Sequence, residues 1–147
     1  MELPRSIRER FRAYGRAGGH ARAESMSSEE RSAVACRAAV RRWVRERFGT
    51  PDFKSLGLPG GEMVDAGLSA LASGEETVES LLVSLAAPRL SREGVPVPRR
   101  TFPDAESRLY RLLQTADEDL AHARYLALER QMVSFADACA GARTINE

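Results

Sequence analysis

The sequence predicts an all-α protein, a small bundle of about five to six helices. Between clusters of proline and glycine, apolar residues recur at intervals of three and four, which is the period of a helix. No run of β-branched residues alternates with a period of two, as a half-buried strand requires. The chain has 147 residues, of which 43% are hydrophobic and 29% charged. This is the composition of a globular domain and not of a disordered, collagen-like or membrane-spanning chain.

The charge is divided along the chain. The net charge of +1 comes from 22 basic and 21 acidic residues, but residues 1–50 carry 12 basic and 6 acidic residues. The remainder carries 10 basic and 15 acidic residues. We therefore expect a basic N-terminal helical hairpin over 1–48 and a helical body over 62–140. A Gly/Pro connector over 49–61 joins them, with Phe53, Leu56 and Leu58 anchored on the core.

The first predicted helix is short and amphipathic. Its apolar side consists of four residues at helical spacing: Leu3, Ile7, Phe11 and Tyr14. Glycine is a common residue just after the end of a helix. We therefore expect the helix to end at Gly15, with Gly18 and Gly19 loosening the chain further.

The second predicted helix has the clearest start in the sequence. Ser27 is followed three residues later by Glu30, the spacing of a capping box in which each side chain binds the backbone amide of the other. The helix should run over 28–48 and be stopped by Gly49 and Pro51. Its buried side should include Ala33, Cys36, Val40, Trp43, Val44 and the aliphatic stem of Arg47.

Two short helices are predicted next, over 62–73 and 75–86, with the turn at Ser73-Gly74 between them. Their inward residues should be Met63, Val64, Leu68 and Leu71 in the first, and Val78, Leu81, Leu82 and Leu85 in the second. One more helical turn can follow Pro88. The Pro-rich linker at 94–103 should be extended, and a further helix should continue to about Thr115 with Leu109, Leu112 and Leu113 inward.

The last predicted helix, over 117–139, is the longest. Its apolar residues are spaced four, three, four, three and four apart, as in a coiled-coil seam: Ala121, Tyr125, Leu128, Met132, Phe135 and Cys139. We interpret this helix as the spine of the domain. The alternative is an oligomer seam formed by Tyr125, Leu128, Met132 and Phe135. A frayed tail is expected over 141–147.

Nothing in the sequence favours catalysis, a metal or a cofactor. The only histidines are His20 and His122, and the carboxylate neighbours of His122 fit a charged helix start better than a ligand set. Cys36 and Cys139 lack partners at zinc-site spacing and are interpreted as small apolar residues. We therefore expect a protein that is not an enzyme and takes no small-molecule substrate.

Arginine is the remaining functional signal, because guanidinium groups bind phosphates and carboxylates in a bidentate way. The predicted binding residues lie at helical spacing on the exposed side of the second helix: Arg37, Arg41, Arg42 and Arg45. They predict a small regulatory or antitoxin-like binding protein that contacts DNA or an acidic protein partner. The alternative is a homo-oligomeric helical scaffold without a nucleic-acid role.

The predicted compartment is the cytoplasm. The chain start lacks the apolar stretch of a secretory signal, and no apolar run approaches the length of a membrane helix. The sequence favours attachment of the first helix to a membrane surface less than contact with a protein. The expected contact is therefore a protein partner or a second copy of the chain. Residues 18–43 resemble the alanine- and arginine-rich segments of many small bacterial proteins, which indicates a bacterial source but no particular family.

Overall fold

The computed structural model describes residues 4–145, with side chains described through residue 142. Within that range the secondary structure is helical and contains no strand, so the predicted all-α fold class is confirmed. The helices are α1 (Arg5–Ser25), α2 (Ser28–Phe48), α3 (Phe53–Leu56), α4 (Gly61–Ala72), α5 (Val78–Arg92), α6 (Ala105–Ala116) and α7 (Ala121–Ile145). Of these, α3 is a single turn and the other six have twelve residues or more.

The chain divides into two compact units, residues 1–32 and 33–147. The boundary lies within α2, whereas the sequence places it at the end of that helix. From Ala33 onward, α2 therefore belongs to the larger unit, and its buried residues Ala33, Val40 and Val44 lie in that unit.

The first helix is longer than the sequence predicts, and the expectation that Gly15 ends it is wrong. Glycine ends a helix by adopting a positive φ, as Gly49 does after α2 with a φ of 75°. Gly15 has no positive φ, and α1 continues to Ser25, where Met26 turns into extended backbone. Of the predicted apolar side, Leu3 lies outside the described residues.

Replacing the three glycines of α1 with alanine should stabilise this helix. A Cβ atom added to Gly15, Gly18 or Gly19 would meet no atom within 4 Å. Alanine is favoured over glycine in a helix by about 1 kcal/mol per position. We expect slower amide hydrogen exchange across α1 in the triple variant, with exchange in α4 and α5 unchanged as the internal control. Unchanged or faster exchange in α1 would contradict the helical assignment.

The core of the larger unit surrounds two buried phenylalanines. Phe53 in α3 and Phe135 in α7 are both 0% exposed, and their ring centroids lie 4.9 Å apart in a T-shaped arrangement. Trp43 and Phe48, from the end of α2, pack against Phe53 at centroid distances of 6.1 and 6.5 Å. The predicted anchoring of the connector by Phe53 is confirmed, and it joins α2 to α7 through one aromatic cluster.

Helices α4 and α5 pack as the predicted pair, joined at Gly74 with a φ of 71°. Their backbones approach most closely at Gly67. A Cβ atom there would lie 2.5 Å from the carbonyl oxygen of Glu79 and 2.5 Å from Cγ2 of Val83. Only a residue without a side chain fits at this distance.

Gly67→Ala should therefore destabilise the larger unit. The added methyl group meets backbone, so α4 and α5 must separate, and overpacking of this kind costs about 1–3 kcal/mol. The measurement is the free energy of unfolding in urea. Gly141→Ala is the control, because a Cβ atom at Gly141 meets nothing within 4 Å. Equal stability of the Gly67 variant and the native chain would refute the close approach.

Helix α5 begins and ends later than predicted. It starts after Thr77, whose hydroxyl accepts a hydrogen bond from the Ser80 amide at 3.0 Å while the Ser80 hydroxyl accepts one from the Thr77 amide at 2.8 Å. This capping box fixes the first turn. The helix continues through Pro88 to Arg92, and Leu85 is exposed, contrary to its predicted inward position.

The Pro-rich segment after α5 contains no helix or strand up to α6, and it contributes to the core. Val95 is buried, and Val97 packs against the core. The Phe102 amide donates a hydrogen bond to the Ser84 hydroxyl of α5 at 3.1 Å. This contact fixes the segment on α5 just before α6 begins after Asp104.

The last helix is the longest of the described helices, as predicted, but its ends differ from the prediction. It starts at Ala121 and not at residue 117, because residues 117–120 form a turn in which the Asp117 carboxylate accepts the Leu120 amide at 3.2 Å. The prediction of a frayed tail from residue 141 is wrong as far as Ile145, because α7 continues through Gly141, which has no positive φ. Residues 146–147 lie outside the described range.

Candidate partner-binding face on α2

Helix α2 presents the predicted arginines because both of its ends are fixed by local interactions. The Ser27 amide donates to the Glu30 carboxylate at 2.7 Å, and the Glu30 amide donates to the Ser27 hydroxyl at 3.1 Å, which confirms the capping box. Gly49 ends the helix. Acidic residues in the first turn and basic residues in the last turn also match the helix dipole.

The outer side of α2 forms one continuous surface, here called the arginine face. Its residues follow the helical spacing of three and four: Val34, Arg37, Ala38, Arg41, Arg42, Arg45 and Glu46. The structure thus brings the four predicted binding arginines together on one open surface. Val34 is 43% exposed, so the face has an apolar component as well as cationic groups.

Arg37 has a structural contact at the edge of this face. Its guanidinium donates to the Ser69 hydroxyl at 3.0 Å and to the Ser69 carbonyl oxygen at 3.3 Å. It also donates to the hydroxyl of Ser73. These bonds tie α2 to α4, so the Arg37 guanidinium has its acceptors within the chain.

The side chains of Arg41, Arg42 and Arg45 are exposed and make no hydrogen bond or ion pair among residues 4–142. Arg41 acts only at a distance: the pKa of Asp52 is lowered chiefly by hydrogen bonds from Ser55, with smaller contributions from Lys54 and Arg41. Three adjacent guanidinium groups therefore have no acceptor among the described residues.

Two other arginines of the larger unit are engaged within the chain. Arg89 of α5 pairs with Asp137 of α7, and Arg108 of α6 pairs with Glu76. Arg108 also lies over the Phe102 ring, with its guanidinium carbon 5.1 Å from the ring centroid. The acidic surface of this unit is thus partly neutralised by its own arginines.

The predicted oligomer seam lies within the chain. Met132 and Phe135 are buried in the core, and Tyr125 and Leu128 are partly buried against it. Tyr125 also donates a hydrogen bond to the Glu106 carboxylate at 3.2 Å. As placed, these side chains pack α7 against its own unit.

The titratable residues of the larger unit that were weighed for chemistry have separate surroundings. His122 is exposed beside the Tyr110 ring, at a centroid distance of 6.4 Å. Cys139 is buried, and that burial raises the pKa of its thiol, which lowers its reactivity. Cys36 is half-buried. Among the described residues, no three His, Cys, Asp or Glu side chains group at a spacing that could hold a metal ion.

Sequence reasoning did not identify the apolar component of the arginine face. Val34 and Ala38 precede Arg41 and Arg45 at regular helical spacing, which is a signal present in the sequence. Alanines at many positions of α2 obscure it, because alanine suits both buried and exposed helix positions. The exposure of Val34 distinguishes the two sides.

Comparison with known proteins gives no match to a protein-family model, to a curated protein or to a solved structure. None of the helices over residues 4–145 combines the length and the apolar character needed to cross a membrane. The assignment of function therefore depends on the arginine face itself.

Proposed function

We propose that this chain is a non-catalytic binding protein whose arginine face contacts an acidic surface of a protein partner. The observation that carries the proposal is the set of exposed guanidinium groups of Arg41, Arg42 and Arg45, which have no acceptor among the described residues. Guanidinium groups bind carboxylates through paired hydrogen bonds. A regulatory, antitoxin-like role is the form of activity that fits such a small partner-binding protein.

An acidic protein fits this face better than DNA. Three phosphate contacts correspond to a salt dependence with a slope of roughly −2.7, which is weak beside that of specific DNA-binding proteins. Val34 and Ala38 lie on the same face, and a phosphate backbone offers no apolar surface to pack against them. Interfaces between proteins combine arginine with apolar contact in this way.

The arginines of this face lie on a helix that is held in place by contacts within the chain. The capping box at Ser27, the bonds of Arg37 to α4 and the burial of Val44 fix α2 before any partner binds. A preorganised surface loses less conformational freedom on binding than a flexible one. The arginine face is therefore ready to accept carboxylates without refolding.

The test compares two charge reversals of equal size in the full-length chain. R41E/R42E alters the arginine face, and R99E/R100E alters an exposed arginine pair in the Pro-rich segment. Each is presented to heparin and to a 30-base-pair duplex, and each is used as bait for co-purifying proteins. We expect one acidic protein to be retained by the native chain and R99E/R100E and lost by R41E/R42E. If no acidic protein co-purifies, and R41E/R42E loses binding to the duplex while R99E/R100E keeps it, the result favours DNA and refutes the proposal.

A further inference from the structure

Helix α1 carries an exposed apolar stripe that the arginine face does not use. Ile7, Phe11 and Tyr14 are 39%, 64% and 72% exposed. They follow one another by four and three residues, so they lie on one side of the helix. None of the residues of α1 is buried. Two large aromatic side chains in water are an unfavourable arrangement for a helix that has no binding role.

The charge of α1 indicates what kind of surface would cover the stripe. Between Arg5 and Ser25 the helix contains six arginines and two glutamates, a net charge of +4 with His20 neutral. One arginine, Arg5, pairs with Glu9 at 3.2 Å on the surface. Pairing of the stripe with the same stripe of a second copy would bring two +4 helices together. An acidic surface is the complementary one.

The length of the stripe separates a protein groove from a lipid surface. Among the described residues, the large side chains of the stripe span positions 7–14, about 10 Å along the helix axis. Further along the same side the residues are small, Gly18 and Ala21. Helices that lie in a bilayer surface have an apolar face along their length. Three large anchors at i, i+4 and i+7 are instead the pattern of helices that bind in a groove of another protein.

We infer that α1 is a recognition helix that inserts Ile7, Phe11 and Tyr14 into an apolar groove with an acidic rim on a protein partner. This inference rests on the proposed function, because it takes the acidic partner as given, and it names a second contact on that partner. Of the arginines of α1, Arg10 lies beside the apolar residues and would face the acidic rim, whereas Arg12 and Arg16 lie on other sides of the helix. The three glycines of α1 leave the free helix easily deformed, so it is ordered further on binding.

The test again uses the full-length chain and a matched pair of variants. Phe11→Glu places a carboxylate in the stripe, and Ala13→Glu places the same charge two residues away, on the other side of the exposed helix. The probes are the purified protein that co-purifies with the native chain and vesicles of phosphatidylcholine and phosphatidylglycerol. We expect Phe11→Glu to weaken binding to the protein about 30-fold or more, the loss typical of a central anchor. Ala13→Glu should change it less than threefold.

The outcomes separate this inference from the proposed function. Two results together support the inference. Phe11→Glu selectively loses binding to the partner, and crosslinks from α1 map to an apolar groove with an acidic rim on that partner. Binding that is lost in R41E/R42E and unchanged in Phe11→Glu refutes the inference and leaves the proposed function standing. Binding that is lost in Phe11→Glu and unchanged in R41E/R42E refutes the role of the arginine face and leaves α1 as the contact with the acidic partner. Vesicle binding that depends on Phe11, with no protein bound, overturns the groove in favour of a lipid surface.

Discussion

Phe135→Ala is expected to lower the free energy of unfolding by about 3–5 kcal/mol. The side chain is 0% exposed and meets the Phe53 ring edge to face at 4.9 Å. Its removal leaves a cavity where α7 and α3 join, and the ring contact itself is lost. A loss of this size is a large fraction of the stability of an ordinary domain.

Urea unfolding followed by tryptophan fluorescence measures this effect directly. The chain has one tryptophan, Trp43, which lies 6.1 Å from the Phe53 ring and therefore reports on the same cluster. Val133→Ala on the same helix is the control, because Val133 is 41% exposed and its truncation should cost less than about 0.5 kcal/mol. Similar losses in both variants would show that α7 does not bury its Phe135 side as described.

R41E/R42E is expected to weaken binding to the acidic partner by about 100-fold or more. Each substitution removes an attraction and adds a repulsion, and close charge pairs across interfaces couple by about 1.5–7 kcal/mol. Both side chains are exposed and lie before the last turn of α2, where the helix dipole acts. The fold should therefore be retained, with the circular dichroism of the native chain.

R99E/R100E is the control for net charge, because it changes the charge of the chain by the same amount at another exposed site. We expect a loss of less than threefold in that variant. The native chain should bind more weakly as ionic strength rises, because salt screens exposed charges. Equal weakening by both double variants would show that overall charge, and not the arginine face, determines binding.

Much of the fold is encoded by local signals. The capping box of Ser27 and Glu30 and the positive φ of Gly49 set both ends of α2 as predicted. The turn at Gly74 separates α4 from α5. Each of these signals acts on residues that are close to it in the sequence, so the sequence alone reveals it.

Several of the errors occur where glycine or proline has two possible roles. Gly15 and Gly141 lie inside helices, because a glycine ends a helix only when its φ becomes positive. Pro88 lies inside α5, whose last turn is held by the burial of Leu90. Tertiary packing decides such cases, and it is not visible in a single sequence.

Part of the candidate site could be predicted, because helical spacing is a local signal. Helical spacing was sufficient to place Arg37, Arg41, Arg42 and Arg45 on one face. It could not show that Arg37 donates hydrogen bonds to Ser69, which is 32 residues away in the sequence. It also could not show that the seam of α7 is covered by its own unit at Met132 and Phe135.

The most direct test of the central claim is a titration of the co-purifying acidic protein with the native chain, R41E/R42E and R99E/R100E at two ionic strengths. We expect the native chain and R99E/R100E to bind with similar Kd values and R41E/R42E to lose about 100-fold or more in affinity. The difference in Kd between the native chain and R41E/R42E should become smaller at high salt. Equal Kd values for all three chains would contradict a binding role for the arginine face.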